Sequence, residues 1–439
     1  MMSFPKSRLF ISGALAIGFA AGTFVAAVGL ERTRVSPTDL AFIAGVMQVV
    51  EGDYVRPIGS EELTKDALKG MLSRLDPHSD YMDEQEFKQT QGTISGKFGG
   101  LGIEITQQGG IPKVISPIDD TPAARAGLQP GDLIVSIDGR NTHGIDLGRI
   151  VDLLRGDPGT TVKLGLARGE TTPIEVTITR SIIHVRSVKS SLQPDGMGYA
   201  RITQFSGDTS KDLAQAIDDL KRKSGGRLKG LVLDLRNDPG GLLSAAIGVA
   251  GAFLDGTTVV SIRSRRASEN QTFTSPAKGD LISGTPIVVL INGASASASE
   301  IVAGALQDQH RATVMGTQSF GKGSVQSVIP LADRGALRLT TALYYTPAGR
   351  SIQGRGISPD IVVEAPKEQQ VAGALMLRES ALSGAIANPG AAREADKASD
   401  AAAAPLSPPI KSDLIGTPED AQLKAALSHL ARARPARLD

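Results

Sequence analysis

The chain has 439 residues, with 47 lysines and arginines against 46 aspartates and glutamates, five histidines and no cysteine. The lack of cysteine excludes disulfides, a thiolate nucleophile and metal sites with cysteine ligands. A formal net charge of +1 gives no global electrostatic reason to expect a nucleic-acid partner. The length predicts two or three domains.

The first predicted element is an apolar segment near the N-terminus. Residues 9–30 carry no charged side chain and have basic residues on both sides. As a helix they would span roughly 33 Å, enough to cross the hydrocarbon core of a bilayer. A signal peptide usually has a shorter apolar region, which favours an uncleaved anchor, although the small residues at 27–29 leave signal cleavage open. Residues 1–30 are therefore predicted to be a signal peptide or a membrane anchor that directs the chain to export.

A helical region is predicted from residue 31 to residue 96. Apolar side chains recur with a period near 3.6 residues from Asp39 to Val50 and again from Glu61 to Leu75. This pattern is typical of amphipathic helices that pack against a partner.

Residues 97–182 are predicted to form a β-rich binding domain, because short β-like runs alternate there with glycine-rich turns. The run from Phe98 to Ile103 places small residues directly before a strand, where several backbone N–H groups are able to point at one carboxylate. Together with the pattern of residues 121–139, this run resembles a PDZ domain. The resemblance implies that Leu101, Gly102 and Ile103 bind the carboxylate of a peptide C-terminus, which adds as a strand beside residues 102–106.

Strands and helices alternate from residue 183 to residue 365. Apolar strand-like runs at 230–235 and 286–291 each end in a turn of small and polar residues that leads into a helix, and a third strand is expected at 312–315. This alternation predicts a parallel sheet whose functional residues lie at the carboxyl ends of its strands.

The turn after strand 286–291 is a candidate catalytic site. Residues 292–300 read Asn-Gly-Ala-Ser-Ala-Ser-Ala-Ser-Glu and lead into a helix, which is where α/β folds expose a nucleophile. Ser297 and Glu300 also match an ordinary helix capping box. The two interpretations are compatible, since the start of the helix offers the free N–H of Ala298 to a developing oxyanion.

A serine nucleophile needs a base, and the histidines offer few candidates. His310 lies at the far end of the same helix, roughly 20 Å from Ser297 by helical rise. Lys322 follows the next strand, and the ends of adjacent parallel strands meet at one edge of the sheet. Burial would have to lower its pKa from about 10.4, and Gln326 is placed to hydrogen-bond it.

A phosphate-binding loop is not expected, although residues 316–323 match the Gly-x-x-x-x-Gly-Lys pattern. The next position is Gly323, where magnesium binding needs serine or threonine, and residues 325–331 read as a strand rather than a helix.

Beyond Pro366 the chain is rich in alanine and proline. Residues 366–439 are predicted to be a C-terminal tail, flexible from 381 to 409 and with a short helix between 418 and 432.

Several short motifs in one order resemble the carboxy-terminal processing (tail-specific) serine proteases. The resemblance covers roughly residues 36–362, and its motifs lie at 75–79, 234–241, 295–300, 320–326 and 356–360. The fold it implies is an α+β multidomain chain, with an N-terminal helical segment, a PDZ-like domain and an α/β crotonase-like protease core. It implies no metal, no nucleotide and no other cofactor.

The same resemblance assigns roles to residues of the candidate site. It implies Ser297 as the nucleophile, Lys322 as the general base and Gln326 as the partner that orients the lysine. The N–H groups of Gly241 and Ala298 would form the oxyanion hole. Ser295 and Ser299 remain as alternatives within the serine run.

The implied function is that of a serine endopeptidase that processes or degrades exported proteins from near their C-termini. Expected partners are polypeptides with accessible C-termini, a regulatory or adaptor protein and further copies of the chain. The expected location is the bacterial cell envelope, in the periplasm or anchored to the inner membrane. Alternatives are a non-catalytic PDZ scaffold, a crotonase-like acyl-CoA enzyme and an envelope adaptor that acts through helices at 36–95.

Overall fold

The computed structural model describes residues 35–118, 120–169, 174–184, 186–277, 279–372, 376–390 and 406–432. The predicted signal or anchor segment, residues 1–30, lies outside these ranges. Within them, no helix combines the length and the apolar character that crossing a bilayer requires.

The N-terminal region contains both helices that the apolar periodicity predicts. Its elements are α1 (Pro37–Asp53), α2 (Ser60–Ser73), β1 (Asp80–Met82) and α3 (Glu84–Ser95). The Ser36 side chain caps α1 by accepting the N–H of Thr38. No residue of α1 is buried, and Phe42 is 72% exposed. This helix therefore presents an apolar surface outside the fold.

The second region is a β-rich domain with its own core. Its elements are β2 (Lys97–Gly100), β3 (Ile103–Gln108), β4 (Ile111–Pro117), α4 (Pro122–Arg125), β5 (Leu133–Ile137), β6 (Arg140–Asn141), α5 (Leu147–Leu154), β7 (Thr161–Ala167), β8 (Ile174–Thr179) and β9 (Ser181–His184). The main sheet has the order β3-β4-β5-β7-β8, with β6 on β5, while β2 pairs with β9. Strand β3 is thus an edge strand of this sheet.

The third region alternates strands and helices as the sequence predicts. Its elements are β10 (Val188–Gln193), β11 (Met197–Ile202), α6 (Thr209–Lys223), β12 (Gly230–Asp234), α7 (Leu243–Gly251), β13 (Thr258–Ser264), β14 (Gln271–Thr274), β15 (Ile287–Ile291), α8 (Ala298–Asp308), β16 (Thr313–Gly316), β17 (Ser324–Pro330), β18 (Ala336–Tyr345), β19 (Ile361–Val362) and α9 (Ala421–Arg432).

The central sheet has the order β10-β11-β12-β15-β16-β19, and every pair after β10-β11 is parallel. Strands β12 and β15 are buried along their whole length, because helices cover both faces of the sheet. Residues of α6, α7 and α8 pack on one face. On the other face, Leu423 and Leu430 of α9 pack with Val232 and Val288. The C-terminal helix is therefore a structural layer of the core.

A second sheet joins the N-terminal region to this core. Its order is β1-β18-β13-β14, with β17 also paired to β18. Strand β1 pairs antiparallel with β18, so that Tyr81 lies opposite Leu337. The segment just before β1, residues 75–79, is thereby held against the third region.

The flexible tail predicted from 381 to 409 is wrong for its described residues. The Asn388 side chain donates to the backbone oxygen of Gln353 at 2.7 Å, and Leu406 is only 4% exposed. The alanine- and proline-rich sequence hides these contacts because single anchor residues, rather than a periodic face, hold the segment. Residues 391–405 lie outside the described ranges. The short helix predicted between 418 and 432 is present as α9.

Candidate active site

The turn between β15 and α8 holds the three candidate serines in different environments. Ser295 and Ser299 are fully buried, and their hydroxyls donate to the backbone oxygens of Leu235 and Asp238 at 2.7 and 3.0 Å. The hydroxyl of Ser297 donates to none of the described residues, and this residue has a φ of 55°. A positive φ is uncommon outside glycine and is typical of strained functional turns. Ser297 is thus the serine of this run that is available for chemistry.

Glu300 connects this turn to the lysine loop. Its carboxylate is fully buried and accepts four hydrogen bonds. The donors are the N–H of Ser297 at 2.7 Å, the Ser319 hydroxyl at 2.6 Å, the N–H of Gly321 at 2.7 Å and the N–H of Lys322 at 2.9 Å. Burial raises the pKa of Glu300 to about 7, although these hydrogen bonds favour its ionised form. The predicted capping box is therefore present, and its glutamate also anchors the lysine loop.

Lys322 lies in the loop between β16 and β17, beside the serine turn. The N–H of Phe320 donates to the backbone oxygen of Ser295 at 3.1 Å, which ties the two loops together. Lys322 is partly buried, and burial lowers its pKa. Its side-chain nitrogen has no hydrogen-bond partner among the described residues. A lowered pKa increases the neutral fraction that a general base requires.

The Gln326 side chain is occupied away from Lys322 in this structure. Its amide nitrogen donates to the hydroxyls of Ser324 and Thr340, at 2.9 and 3.2 Å. A register shift between Val325 and Gln326 interrupts the regular pairing of β17 with β18 at this residue. The hydrogen bond from Gln326 to Lys322 that the sequence suggests is thus absent among the described contacts.

The turn after β12 packs directly on the serine turn. Gly240 has a φ of +94°, and a Cβ there would lie 2.6 Å from the oxygen of Ala296 and 2.9 Å from the nitrogen of Ala298. Only glycine allows this approach. Among the described residues, the N–H groups of Gly241 and Ala298 have no hydrogen-bond acceptor. The Ala298 N–H lies at the N-terminus of α8 and the Gly241 N–H in the turn packed against it, and unsatisfied donors of this kind favour binding of an oxyanion.

Asp238 holds these two turns together. Its backbone oxygen accepts the N–H of Ala296 at 3.0 Å, and its Oδ1 accepts the N–H of Gly240 at 2.8 Å. The other carboxyl oxygen is buried and has no hydrogen-bond partner in the part of the chain that the structure describes. Burial raises the pKa of Asp238 to about 8. The side chain is therefore a largely neutral acid at pH 7.

The predicted carboxylate-binding loop lies at the start of edge strand β3. Leu101 is buried in the domain core at 2% exposure, and Ile103 begins the strand. Gly102 has a φ of +78°, and a Cβ there would lie 2.3 Å from Cβ of Thr121. The loop therefore depends on glycine at this position, and the neighbouring edge strand is able to accept another strand.

The sequence did not predict that Glu379, near the C-terminus, lies against the lysine loop. Glu379 is 1% exposed and lies 2.8 Å from Nε2 of His78. No pattern around Glu379 distinguishes it, whereas the motif at 75–79 did single out His78. Neither residue was expected to lie near Lys322.

The sequence pattern of peptidase family S41 matches residues 196–363, that of a PDZ domain matches residues 113–168, and that of the N-terminal domain of the activating protease CtpB matches residues 26–86. A carboxy-terminal-processing protease of Bartonella bacilliformis is 48% identical over 398 residues, which cover 88% of this chain and 91% of that protein. The chain belongs to the carboxy-terminal processing proteases. It is a serine-type protease with a PDZ domain, and the predicted family, fold class and enzyme class are confirmed.

Two further proteins are similar to this chain. The protease is 36% identical to the carboxy-terminal processing protease CtpA of Bacillus subtilis over 319 residues, which cover 72% of this chain and 67% of that protein. The solved structure of a photosystem II D1 C-terminal processing protease is 30% identical, with a TM-score of 0.44, and the match covers 75% of this chain and 94% of that one.

Proposed function

We propose that the protease cleaves polypeptides near their C-termini with a Ser297–Lys322 dyad, after its PDZ domain has captured the substrate tail. The observation that supports this most strongly is the shared anchor at Glu300. One buried carboxylate oxygen accepts the N–H groups of both Ser297 and Lys322, so the main chains that carry nucleophile and base are held beside each other.

The proposed chemistry is acyl transfer. Neutral Lys322 takes the proton of the Ser297 hydroxyl while its oxygen attacks the substrate carbonyl carbon. The N–H groups of Gly241 and Ala298 bind the oxygen that becomes negative. Lys322 then gives its proton to the leaving amine, and the peptide C–N bond breaks. Water, deprotonated by the same lysine, hydrolyses the serine ester and releases the second product.

Gln326 is proposed to orient Lys322 during this reaction. Its amide donates to Thr340 in this structure, so the role requires the side chain to turn towards the lysine when substrate binds. A Gln326→Ala variant is expected to lose kcat while KM changes little, because Gln326 touches the base rather than the substrate.

Tail capture is proposed at Leu101, Gly102 and Ile103. The open side of edge strand β3 supports it, since an added strand would gain main-chain hydrogen bonds. The partners are polypeptides with accessible C-termini. Replacement of Gly102 by valine is expected to raise KM for tail-bearing substrates, because the side chain would meet Thr121.

The domain division, location and assembly are also proposals. Residues 1–30 would deliver the protease to the periplasm or anchor it to the inner membrane, followed by domains at 31–96, 97–182 and 183–365. The two curated relatives described above are bacterial. The apolar face of α1 supports pairing of two copies or binding of an adaptor. Chemical cross-linking of the purified protease, with and without residues 35–53, tests this pairing.

The catalytic proposal is tested with a purified protein substrate that ends in an apolar tail. Ser297→Ala and Lys322→Ala are each expected to lower kcat/KM by at least about 1,000-fold. Matched controls are Ser268→Ala and Lys411→Ala, which change the same residue types at exposed positions. Unchanged cleavage by either catalytic variant would overturn the proposal. Tail binding without cleavage in the wild type would favour the non-catalytic scaffold.

A further inference from the structure

A chain of hydrogen bonds connects the lysine loop to the C-terminal segment. The N–H of Gly323 donates to Oε1 of Gln353 at 3.0 Å, and Nε2 of Gln353 donates to Oε1 of Glu379 at 3.1 Å. The N–H of Glu379 donates to the backbone oxygen of Phe320 at 3.2 Å. Glu379 therefore contacts the loop on both sides of Lys322, one contact being direct and the other passing through Gln353.

The carboxylate of Glu379 also contacts the motif at residues 75–79. Nε2 of His78 lies 2.8 Å from Oε2 of Glu379, and the N–H of His78 donates to Oδ1 of Asp76 at 2.8 Å. Oδ1 of Asp76 also accepts the hydroxyl of Thr340 at 3.0 Å, and Thr340 accepts the amide of Gln326. These contacts lead from Glu379 back to the residue proposed to orient the base.

A carboxylate buried as deeply as that of Glu379 lowers the stability of the fold unless other groups pair with it or donate hydrogen bonds to it. The side chain is 1% exposed, and a buried carboxylate loses its hydration. His78 and Gln353 supply partners for its oxygens. An apolar residue would fill the same space and would need no such partners. The C-terminal segment also lies outside residues 196–363, which match the peptidase family.

Four charged groups face Lys322 from the elements packed around it. Burial lowers the pKa of Lys322, and Arg338 on β18 lowers it further. The carboxylates that raise it are, in decreasing order of effect, Glu379, Glu300 and Asp76. Glu379 thus has the strongest opposing effect among these groups, and its contacts place it on the loop that carries the lysine.

We propose that Glu379 is a positioning residue of the protease, which docks the C-terminal segment on the lysine loop and sets the electrostatic environment of Lys322. The inference rests on the proposed role of Lys322 as the base. Loss of the negative charge would leave Lys322 neutral at lower pH, whereas loss of the contacts alone would loosen the loop without this effect. The two consequences separate a positioning role from a merely structural one.

The test measures Lys322 directly by competitive acetylation with acetic anhydride, followed by mass spectrometry of the labelled peptide. The 439-residue chain with Ser297→Ala provides a background without self-cleavage. Glu379→Gln is expected to move the midpoint of Lys322 labelling to lower pH and to raise the labelling rate at pH 7 by about threefold or more. Glu379→Asp keeps the charge and is expected to keep the midpoint near that of the wild type.

The matched control is Glu419→Gln, which removes the same charge from an exposed position on the same C-terminal segment. Its labelling profile is expected to equal that of the parent. In the catalytically intact chain, the acidic limb of kcat/KM is expected to shift with Glu379→Gln in the same direction as the labelling midpoint. Glu300 is identical in all of these variants, so its own titration does not change the comparison.

An unchanged midpoint in Glu379→Gln would overturn the proposal, whether or not the variant is less stable. Should that variant not fold, Glu379→Ser leaves room for water beside His78 and Gln353 and is measured in the same way. A different result is expected if the proposed Ser297–Lys322 dyad is wrong. In that case Lys322→Ala cleaves like the wild type, while the labelling midpoint still reports whether Glu379 acts on Lys322.

Discussion

Ser297 and Lys322 donate their backbone N–H groups to one oxygen, Oε2 of Glu300, at 2.7 and 2.9 Å. The distance between the two main chains is therefore fixed by a buried anchor and does not depend on either side chain. Such an arrangement is preorganised, because the anchor needs no rearrangement when substrate arrives.

Replacement of Glu300 by glutamine is expected to misplace this pair. The amide NH2 would face backbone N–H groups where the carboxylate now accepts hydrogen bonds, which leaves buried donors unsatisfied. We expect kcat/KM to fall at least about 100-fold, since small displacements of catalytic groups have effects of that size. Peptide cleavage assays check this, with exposed Glu419→Gln as the control. Activity equal to the wild type would show that the shared anchor is dispensable.

Gly240 is expected to tolerate no side chain. A Cβ there would lie 2.9 Å from both the nitrogen of Ala298 and Cβ of Ser297, so Gly240→Ala would push the turn after β12 away from Ser297. Cleavage should fall by about 100-fold or more. Gly225→Ala is the matched control, because Gly225 has a similar φ of +80° and open space around it. Equal losses of cleavage activity in both variants would show that backbone strain alone causes the effect.

Asp238 is expected to make the folded chain less stable as the pH rises towards about 8. Its pKa is raised from 3.8 to about 8 in the folded chain, so the folded state keeps a proton that the unfolded state releases. The contribution of this group to stability is complete below about pH 4 and is lost as the pH rises through about 8.

Asp238→Asn is a neutral mimic that keeps the acceptor for Gly240. It should therefore lose less thermal stability than the wild type between pH 6 and pH 9. Melting curves at both pH values measure this, with exposed Asp218→Asn as the control. A parallel decline in wild type and Asp238→Asn would contradict the assigned titration.

The C-terminal segment is expected to be required for stability. Asp420 is fully buried and pairs at 2.6 Å with fully buried Arg236, which lies in the turn after β12. Asp420→Ala leaves part of this guanidinium unpaired and should lower the free energy of unfolding by about 3–5 kcal/mol. Urea unfolding measures it, with exposed Asp413→Ala as the control. A loss no larger than that of the control would mean that the pair with Asp234 suffices for Arg236.

Local patterns in the sequence predicted much of the catalytic region. The apolar runs at 230–235 and 286–291 are strands β12 and β15, and both are buried because their Val, Leu and Ile residues leave no polar face. The parallel pairing of β15 with β16 brings the loops at 292–299 and 317–323 to one edge of the sheet, as strand order predicts. Capping-box spacing likewise predicted the contact between Ser297 and Glu300.

Long-range contacts could not be predicted in this way. Glu379 is 301 residues from His78, and Asp420 is 184 residues from Arg236. Glu379 is a single charged residue in a segment without periodicity, and Asp420 directly precedes α9, whose sequence pattern does not indicate a partner for it. Both partners are determined only by the assembled fold. For the same reason the sequence did not predict that Glu300 accepts hydrogen bonds from four donors, since a capping box accounts for only one of them.

The central claim is that Lys322 makes Ser297 the reactive nucleophile. An alkyl fluorophosphonate tests it most directly, because the reagent forms a covalent bond with an activated serine and mass spectrometry of peptides locates that bond. The account predicts labelling of Ser297 in the wild type and a rate at least about 100-fold lower in Lys322→Ala. Labelling of Ser295 or Ser299 instead, or labelling of Ser297 at an equal rate in both proteins, would contradict it.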